Sequence, residues 1–280
     1  MIKLGLIGYP VGHSLSPAIQ NAALKACGLE GEYSLFPVAP DDTQALTSLL
    51  ATIRSGELTG LNVTIPHKQN VIPLMDELTT TARAIGAVNI IYRRGDKLVG
   101  DNTDAPGFLA DLKKFLSTVF HEDDKTQRHK ETSALVLGAG GSARSVVYAL
   151  CNAGWRVTIA ARRIEQAEQI ASQYNGIYIL ELNPDSFQPS DVDLIVNTTP
   201  VGMTPNVEQS PLPKNTALPK QTKVYDLVYN PRETQLVRNA RAQGLQATTG
   251  LGMLIEQAAL GFALWTGIKL SSAIFRSAVE

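Results

Sequence analysis

The stretch Leu135-Val136-Leu137-Gly138-Ala139-Gly140-Gly141-Ser142-Ala143 is an apolar run that ends in a glycine turn and opens a helical segment, Arg144 to Ala153. Each small residue has a physical task. Gly138 permits the tight turn, Gly140 lets the backbone approach a pyrophosphate, and Ala143 lets helix and strand pack closely. The open N–H groups of the first helical turn, at the positive end of the helix dipole, face the phosphates. A glycine turn alone is equally the mark of an ordinary strand–helix loop. Here Trp155-Arg156-Val157-Thr158-Ile159-Ala160 supplies a second buried strand after a helix of suitable length, which makes a βαβ unit. The turn falls midway along 280 residues, so a folded unit precedes it. That unit is the natural holder of the substrate.

About 20 residues past such a turn, a binder of unphosphorylated NAD carries Asp or Glu for the ribose 2′-hydroxyl. This chain has Ala161-Arg162-Arg163. Two guanidinium groups suit a 2′-phosphate, which they hold in charge-assisted, bidentate fashion. As mere helix-start residues they would oppose the helix dipole, so NADP is favoured over NAD. Further strands are read at Asp193 to Asn197 and Lys223 to Leu227, ending in Thr198-Thr199-Pro200 and Tyr229-Asn230-Pro231. Ligands of open parallel sheets lie beyond the carboxyl ends of strands, so these ends are candidate walls of the nicotinamide side. Spacing alone fits ordinary strand exits equally well.

Composition bounds the rest. A hydrophobic content of 44%, a charged content of 18% and a net charge of −1 describe a globular chain with no case for nucleic acid. The two cysteines, Cys27 and Cys151, imply no disulfide framework. No apolar stretch reaches membrane-spanning length and no signal peptide is read, so cytoplasmic residence is expected. The polar run His121 to Glu131 reads as a solvated connector, and its two histidines, His121 and His129, receive no metal role.

The first half also alternates. Strands are read at Ile2 to Ile7, Tyr33 to Val38, Leu58 to Val63 and Ala87 to Tyr92, and helices at Pro17 to Cys27, Asp41 to Ser55 and Asp76 to Ala84. The fold class is therefore α/β with two domains. Three polar clusters stand where strands end. In Gly12-His13-Ser14-Leu15-Ser16-Pro17, Ser16 and Pro17 read as an N-cap and first helical residue. Ser14 is not needed for that, and two hydroxyls at a helix N-terminus suit a small carboxylate. In Asn62-Val63-Thr64-Ile65-Pro66-His67-Lys68, a lysine in the first turn of a helix is locally unfavourable, which points to another task. His67 is left without a role. In Gly100-Asp101-Asn102-Thr103-Asp104, Asp104 is a competent N-cap. It also stands where the first half hands over to the next, and with Lys68 it could form a proton-transfer pair for a hydroxyl/ketone interconversion.

With these residues in view the chain resembles the shikimate dehydrogenase family over nearly its whole length. The resemblance is carried by Gly8-Tyr9-Pro10, His13 to Pro17, Asn62 to Lys68, Gly86-Ala87-Val88-Asn89, Gly100 to Asp104, Gly138 to Ala143 and Gly250-Leu251-Gly252-Met253 through Gln257. It implies a substrate-binding domain over 1–104, a Rossmann-type NADP domain over 105–252, and C-terminal helices over 253–280 that pack back on the first domain. It implies NADPH-dependent reduction of 3-dehydroshikimate to shikimate, a step of aromatic amino-acid biosynthesis. Lys68 and Asp104 match the catalytic pair. Ser14 and Ser16 match the substrate-carboxylate site, and Thr64, Asn89, Tyr229 and Gln257 the ring and its hydroxyls. Gly138, Ala139, Gly140, Gly141 and Ser142 match the phosphate loop. Ala161, Arg162 and Arg163 fall in the adenosine segment, and Leu227 and Gly250 lie beside the nicotinamide. The chain departs from the family at Gln20, Thr80 and Ala161, where His, an acidic residue and Asn are common. A quinate/shikimate dehydrogenase using NAD, a non-catalytic NADP-binding sensor and a folate-type dehydrogenase are the alternatives. Monomer and homodimer stay open.

Overall fold

The computed structural model describes residues 1–117, 132–183, 186–189 and 192–280. The connector read at His121 to Glu131 lies outside them. In chain order the elements are β1 (Ile2–Gly8), α1 (Ser16–Ala26), β2 (Gly31–Pro37), α2 (Thr43–Ser55), β3 (Gly60–Val63), α3 (His67–Asn70), β4 (Glu77–Leu78), α4 (Thr80–Ile85), β5 (Ile90–Arg94), β6 (Lys97–Asp101) and α5 (Asp104–Ser117). There follow β7 (Ser133–Leu137), α6 (Gly141–Asn152), β8 (Arg156–Ala161), α7 (Ile164–Ala171), β9 (Tyr178–Glu181), β10 (Leu194–Asn197), β11 (Lys223–Asp226), α8 (Gln235–Ala242), β12 (Ala247–Thr249), α9 (Leu251–Thr266) and α10 (Ser272–Arg276). The chain forms two compact units, Met1–Gly107 with Leu254–Glu280, and Phe108–Met253. Among the described residues no helix is long and apolar enough to cross a membrane.

The first unit is built on a mixed sheet of order β2-β1-β3-β5-β6-β4. Its first three strands run parallel, because helical crossovers join them, whereas β5 and β6 form a hairpin. Gly95 turns that hairpin at φ +64°, a conformation open to glycine. Helix α2 shows why the layers stack. Leu46, Leu50 and Ile53 fall on one face and join Ile7, Leu61, Val63 and Ile91 in a buried core. Asp42 caps its start by accepting from the Ala45 N–H at 2.9 Å, and Gly56 ends it in the left-handed region. The second part of α9 belongs to this unit, as expected for the C-terminal helices. Trp265 donates to the Ile91 carbonyl at 3.2 Å, and Gln20 of α1 donates to the Ala258 carbonyl at 3.1 Å.

The helix expected over Asp76 to Ala84 is not formed as such. The Asp76 carboxylate is taken by the Leu98 N–H at 2.7 Å and by Arg54, which pulls residues 77–78 into a strand beside β6. Thr79 then caps the shorter α4, accepting from Ala82 N–H at 3.2 Å. The strand expected from Ala87 begins at Ile90, because Asn89 turns its side chain into a buried polar cluster.

The second unit is a parallel sheet of order β12-β11-β10-β7-β8-β9. From β7 the chain winds out through β8 and β9, then returns to place β10 on the other side of β7. The carboxyl ends of β7 and β10 thus flank a topological switch point, where adjacent loops diverge and a ligand crevice opens. Leu135, Leu137, Ile195, Val224, Leu236 and Val237 form the core on the α8 face. The edge strands β9 and β12 were not legible as strands, being short and, in β9, largely exposed.

Candidate active site

Within the first unit, residues from four segments converge. Lys68 lies in the single turn α3 beyond β3, its carbonyl held by the Val88 N–H at 2.8 Å. Its Nζ donates to Asp104 Oδ2 at 2.6 Å, with the two side chains only 10% and 8% exposed. A lone charge at that depth would be costly, and the pair offsets the cost mutually. Asp104 opens α5 but is not spent as the N-cap. Asn102 takes that task, accepting from the Ala105 N–H at 3.2 Å. The second carboxylate oxygen of Asp104 accepts from Asn89 Nδ2 at 2.8 Å. Asn89 is itself locked, since it also donates to Thr103 Oγ1 at 3.0 Å and accepts from Thr103 N–H at 2.7 Å. Gln257 of α9 brings its Oε1 to 3.5 Å from the same amide and donates to the Leu254 carbonyl at 2.8 Å. Lys68, Asn89, Asp104 and Gln257 therefore form one cluster, in which a cation and a carboxylate share a proton-transfer distance and a fixed orientation.

Ser14, Ser16 and Thr64 belong to the same unit. The expectation that Ser16 caps α1 is corrected: Leu15 occupies the cap position and no side chain caps the helix. It is Ser14 whose Oγ accepts a local bond, from Ser16 N–H at 3.2 Å. Two residues of separation suit such a side-chain turn, whereas Ser16 lies already inside the helix. The hydroxyls of Ser16 and Thr64 make no hydrogen bond among the described residues, so they remain available at the open end of α1 and at the end of β3. His67, left without a role from sequence, is buried and ties α3 to the Val38 carbonyl through Nε2 at 2.8 Å.

The cofactor residues expected from sequence lie in the second unit. Gly138 has φ +104°, and a side chain there would also strike Thr198 Oγ1 and Thr199 Cγ2 at 2.8 and 2.9 Å. Gly140 stands at the start of α6 with open space where a Cβ would project. Gly140 stands at the cap position of α6 and no side chain caps that helix, so its positive dipole end faces the turn that carries Gly141 and Ser142. Ala139 is buried and Ala161 closes β8. Arg163 sits at the N-cap position of α7 without capping it, and Arg162 is exposed. Arg162 and Thr199 line a cavity of about 1040 Å³ whose walls belong wholly to this unit. The glycine turn and the start of α6 fit the pyrophosphate of a dinucleotide, whereas the cavity at Arg162 and Thr199 is lined by the 208–218 segment and α8 and by no residue of that turn.

Leu227 and Gly250 lie back to back. A Cβ on Gly250 would come to 2.1 Å from the Leu227 carbonyl oxygen, a backbone atom that no rotamer change can move. We expect Gly250→Ala to cost about 1–3 kcal/mol, the usual range for forced overpacking. Urea denaturation checks it, and unaltered stability would show that the two segments part freely. Tyr229 follows Leu227 on the same loop, half-buried. Sequence reasoning singled out the strand-end segments around Thr199 and Tyr229 but missed the buried pair behind them, Asn197 and Asp226. These occupy the same register position on β10 and β11. Two polar residues ending adjacent apolar strands were the available signal.

Comparison with known proteins agrees with this geometry. Residues 6–91 match the profile of the shikimate dehydrogenase substrate binding domain, 122–234 that of shikimate / quinate 5-dehydrogenase, and 250–280 that of the shikimate 5′-dehydrogenase C-terminal domain. A shikimate dehydrogenase (NADP(+)) of Carboxydothermus hydrogenoformans is 38% identical over 98% of this chain and 95% of its own length. The structure of the Thermus thermophilus enzyme with NADP(H) and shikimate superposes with a TM-score of 0.84 at 36% identity, covering 99% of this chain and 98% of that one. A 5-ketofructose reductase of Gluconobacter superposes at 0.80 with 31% identity, covering 99% of this chain and 97% of that one, so the architecture alone does not choose the substrate. Full-length identity, together with the polar cluster of the first unit and the phosphate cradle of the second, places the chain in the shikimate dehydrogenase family.

Proposed function

We propose that the protein interconverts 3-dehydroshikimate and shikimate with NADP, the substrate held by the first unit and the dinucleotide by the second. The observation that carries the reading is the buried Lys68–Asp104 contact of 2.6 Å, oriented by Asn89. When bound, NADP accepts or supplies hydride at the nicotinamide ring. The protein's own residues handle the proton. In the reducing direction the Lys68 ammonium donates to the forming alkoxide oxygen or stabilises it, and Asp104 orients that ammonium and accepts from the substrate hydroxyl. Ser14 and Ser16 offer hydroxyls to the substrate carboxylate, Thr64, Asn89 and Gln257 take the ring and its hydroxyls, and Tyr229 keeps the substrate role that the family resemblance gives it. The loop from Gly138 through Ser142 holds the pyrophosphate, Arg162 with Arg163 the 2′-phosphate, and Leu227 with Gly250 backs the nicotinamide. The reaction serves aromatic amino-acid biosynthesis, and the free Cys27 and Cys151 accord with a reducing cytoplasm.

Shikimate-dependent reduction of NADP, run beside NAD and beside quinate with each cofactor, tests the reading. We expect turnover to be fastest with shikimate and NADP. Preference for quinate with NAD would establish the alternative dehydrogenase, and absence of turnover with every pair would overturn the reading.

A further inference from the structure

One carboxylate of the second unit takes no part in the chemistry above, yet it is completely buried. Asp226 ends β11 and accepts three neutral donors: Asn197 Nδ2 at 2.8 Å and Val228 N–H at 3.0 Å on Oδ1, and Thr234 Oγ1 at 2.6 Å on Oδ2. Each donor leads to a turn at the carboxyl edge of the sheet. Asn197 Oδ1 accepts from the Thr199 N–H at 3.0 Å and its hydroxyl at 2.7 Å, and Thr199 Oγ1 accepts from Val201 N–H at 3.3 Å. Thr234 caps α8, accepting from Val237 N–H at 3.3 Å. Val228 lies between Leu227 and Tyr229, and its carbonyl accepts from Gly250 N–H at 3.3 Å. Thr199, together with Thr198, is what the Gly138 turn closes against.

We propose that Asp226 is a positioning residue for the cofactor: through Asn197, Thr234 and Val228 its ionised carboxylate fixes the two strand-end turns that flank the dinucleotide. The inference rests on the NADP-binding reading of this edge. Among the described residues no charged side chain enters the balance at Asp226. Burial pushes its acid up to about 6, and only the bonds from Thr234, Val228 and Asn197 oppose that rise. A buried carboxylate with no cation is a net cost to the fold at neutral pH, so its use lies in geometry. Asp226 accepts three bonds without donating any. Its protonated form, or an amide in its place, puts a donor where Oδ2 meets the Thr234 hydroxyl, which already donates there, and the Thr234 arm must rearrange.

The test compares Asp226→Asn and Thr234→Val with the wild-type chain. It reads kcat, the KM of each substrate between pH 5 and 9, NADPH binding by fluorescence titration, and thermal midpoints. For Asp226→Asn we expect the KM and Kd of the dinucleotide to rise about tenfold, the scale of one bond to a charged group, with the KM of shikimate unchanged. The 2′-phosphate of NADP gains a proton at about pH 6 and weakens binding to both proteins, so wild-type affinity should fall more steeply through about 6 than that of the variant, whose profile shows the phosphate alone. The stability sign is opposite. A folded-state pKa raised from 3.8 to about 6 gives a contribution present below pH 4 and lost as pH rises through 6. Asp226→Asn should therefore melt no lower than wild type at pH 8, and a merely structural carboxylate would make it melt lower. Thr234→Val, which removes one arm while leaving the acid, should raise the cofactor KM in the same sense and carries the test if Asp226→Asn does not fold. Unchanged cofactor affinity in the folded variants, or equal rises for both substrates, overturns the proposal. Failure of the wild-type chain to bind NADPH would instead overturn the reading beneath it.

Discussion

Lys68→Ala lowers kcat for shikimate oxidation by about 10²–10⁴-fold, the usual loss on removing a general acid or base. The pair also contributes to folding, so the two effects must be separated. Removing Lys68 strands the buried Asp104 carboxylate with Asn89 as its remaining side-chain donor, and breaking such a pair costs about 3–5 kcal/mol. Asp104→Asn keeps the shape and removes the charge, so it should lower kcat as well. The double variant Lys68→Met/Asp104→Asn leaves no stranded charge and should recover most of the stability while recovering none of the turnover. Steady-state kinetics at saturating shikimate, beside urea denaturation of each variant, reads both quantities. If Lys68→Ala turns over normally while binding shikimate, the proton is handled elsewhere.

Arg162→Ala raises the KM of NADP by about 10–100-fold and leaves that of NAD nearly unchanged, because one or two charge-assisted bonds to a phosphate are lost and NAD has no phosphate there. Stability should be untouched, since the side chain is exposed and makes no ion pair or hydrogen bond among the described residues. Arg163→Ala gives the comparison: placed at the N-cap of α7, it relieves a cation opposed to the helix dipole, so any loss of NADP affinity reports a real phosphate contact. Parallel changes for NADP and NAD in Arg162→Ala would remove the 2′-phosphate assignment. The readout is the ratio of kcat/KM for the two cofactors.

Much of this is legible in the sequence. The alternation of apolar runs with helical segments placed two α/β layers, and the glycine turn at Gly138 located the dinucleotide edge. Two expectations fail at polar residues that have a good local explanation, Asp76 and Ser16. Asp76 was read into a helix, but Leu98 and Arg54 hold it at a strand. Asp104 is by sequence both a competent cap and the expected partner of Lys68; Asn102 takes the cap, and Asp104 meets Lys68. Ser16 was read as the cap of α1, yet the local bond falls to Ser14.

The sequence by itself determined the layer type, the turn, the cofactor preference and the candidates Ser14, Ser16, Lys68, Asp104 and Arg162, because these depend on periodicity, backbone freedom and side-chain charge within a short span; Thr64, Asn89, Tyr229, Leu227, Gly250 and Gln257 come from the family resemblance. Only the tertiary structure decided which of them act together. Lys68, Asn89, Asp104 and Gln257 meet through the hairpin β5–β6 and the return of α9, and Asn197 meets Asp226 because β10 pairs with β11 in register. Burial gives those contacts their consequence. A carboxylate exposed on a loop would be ordinary, whereas the same group enclosed by three neutral donors holds the geometry of the edge it ends.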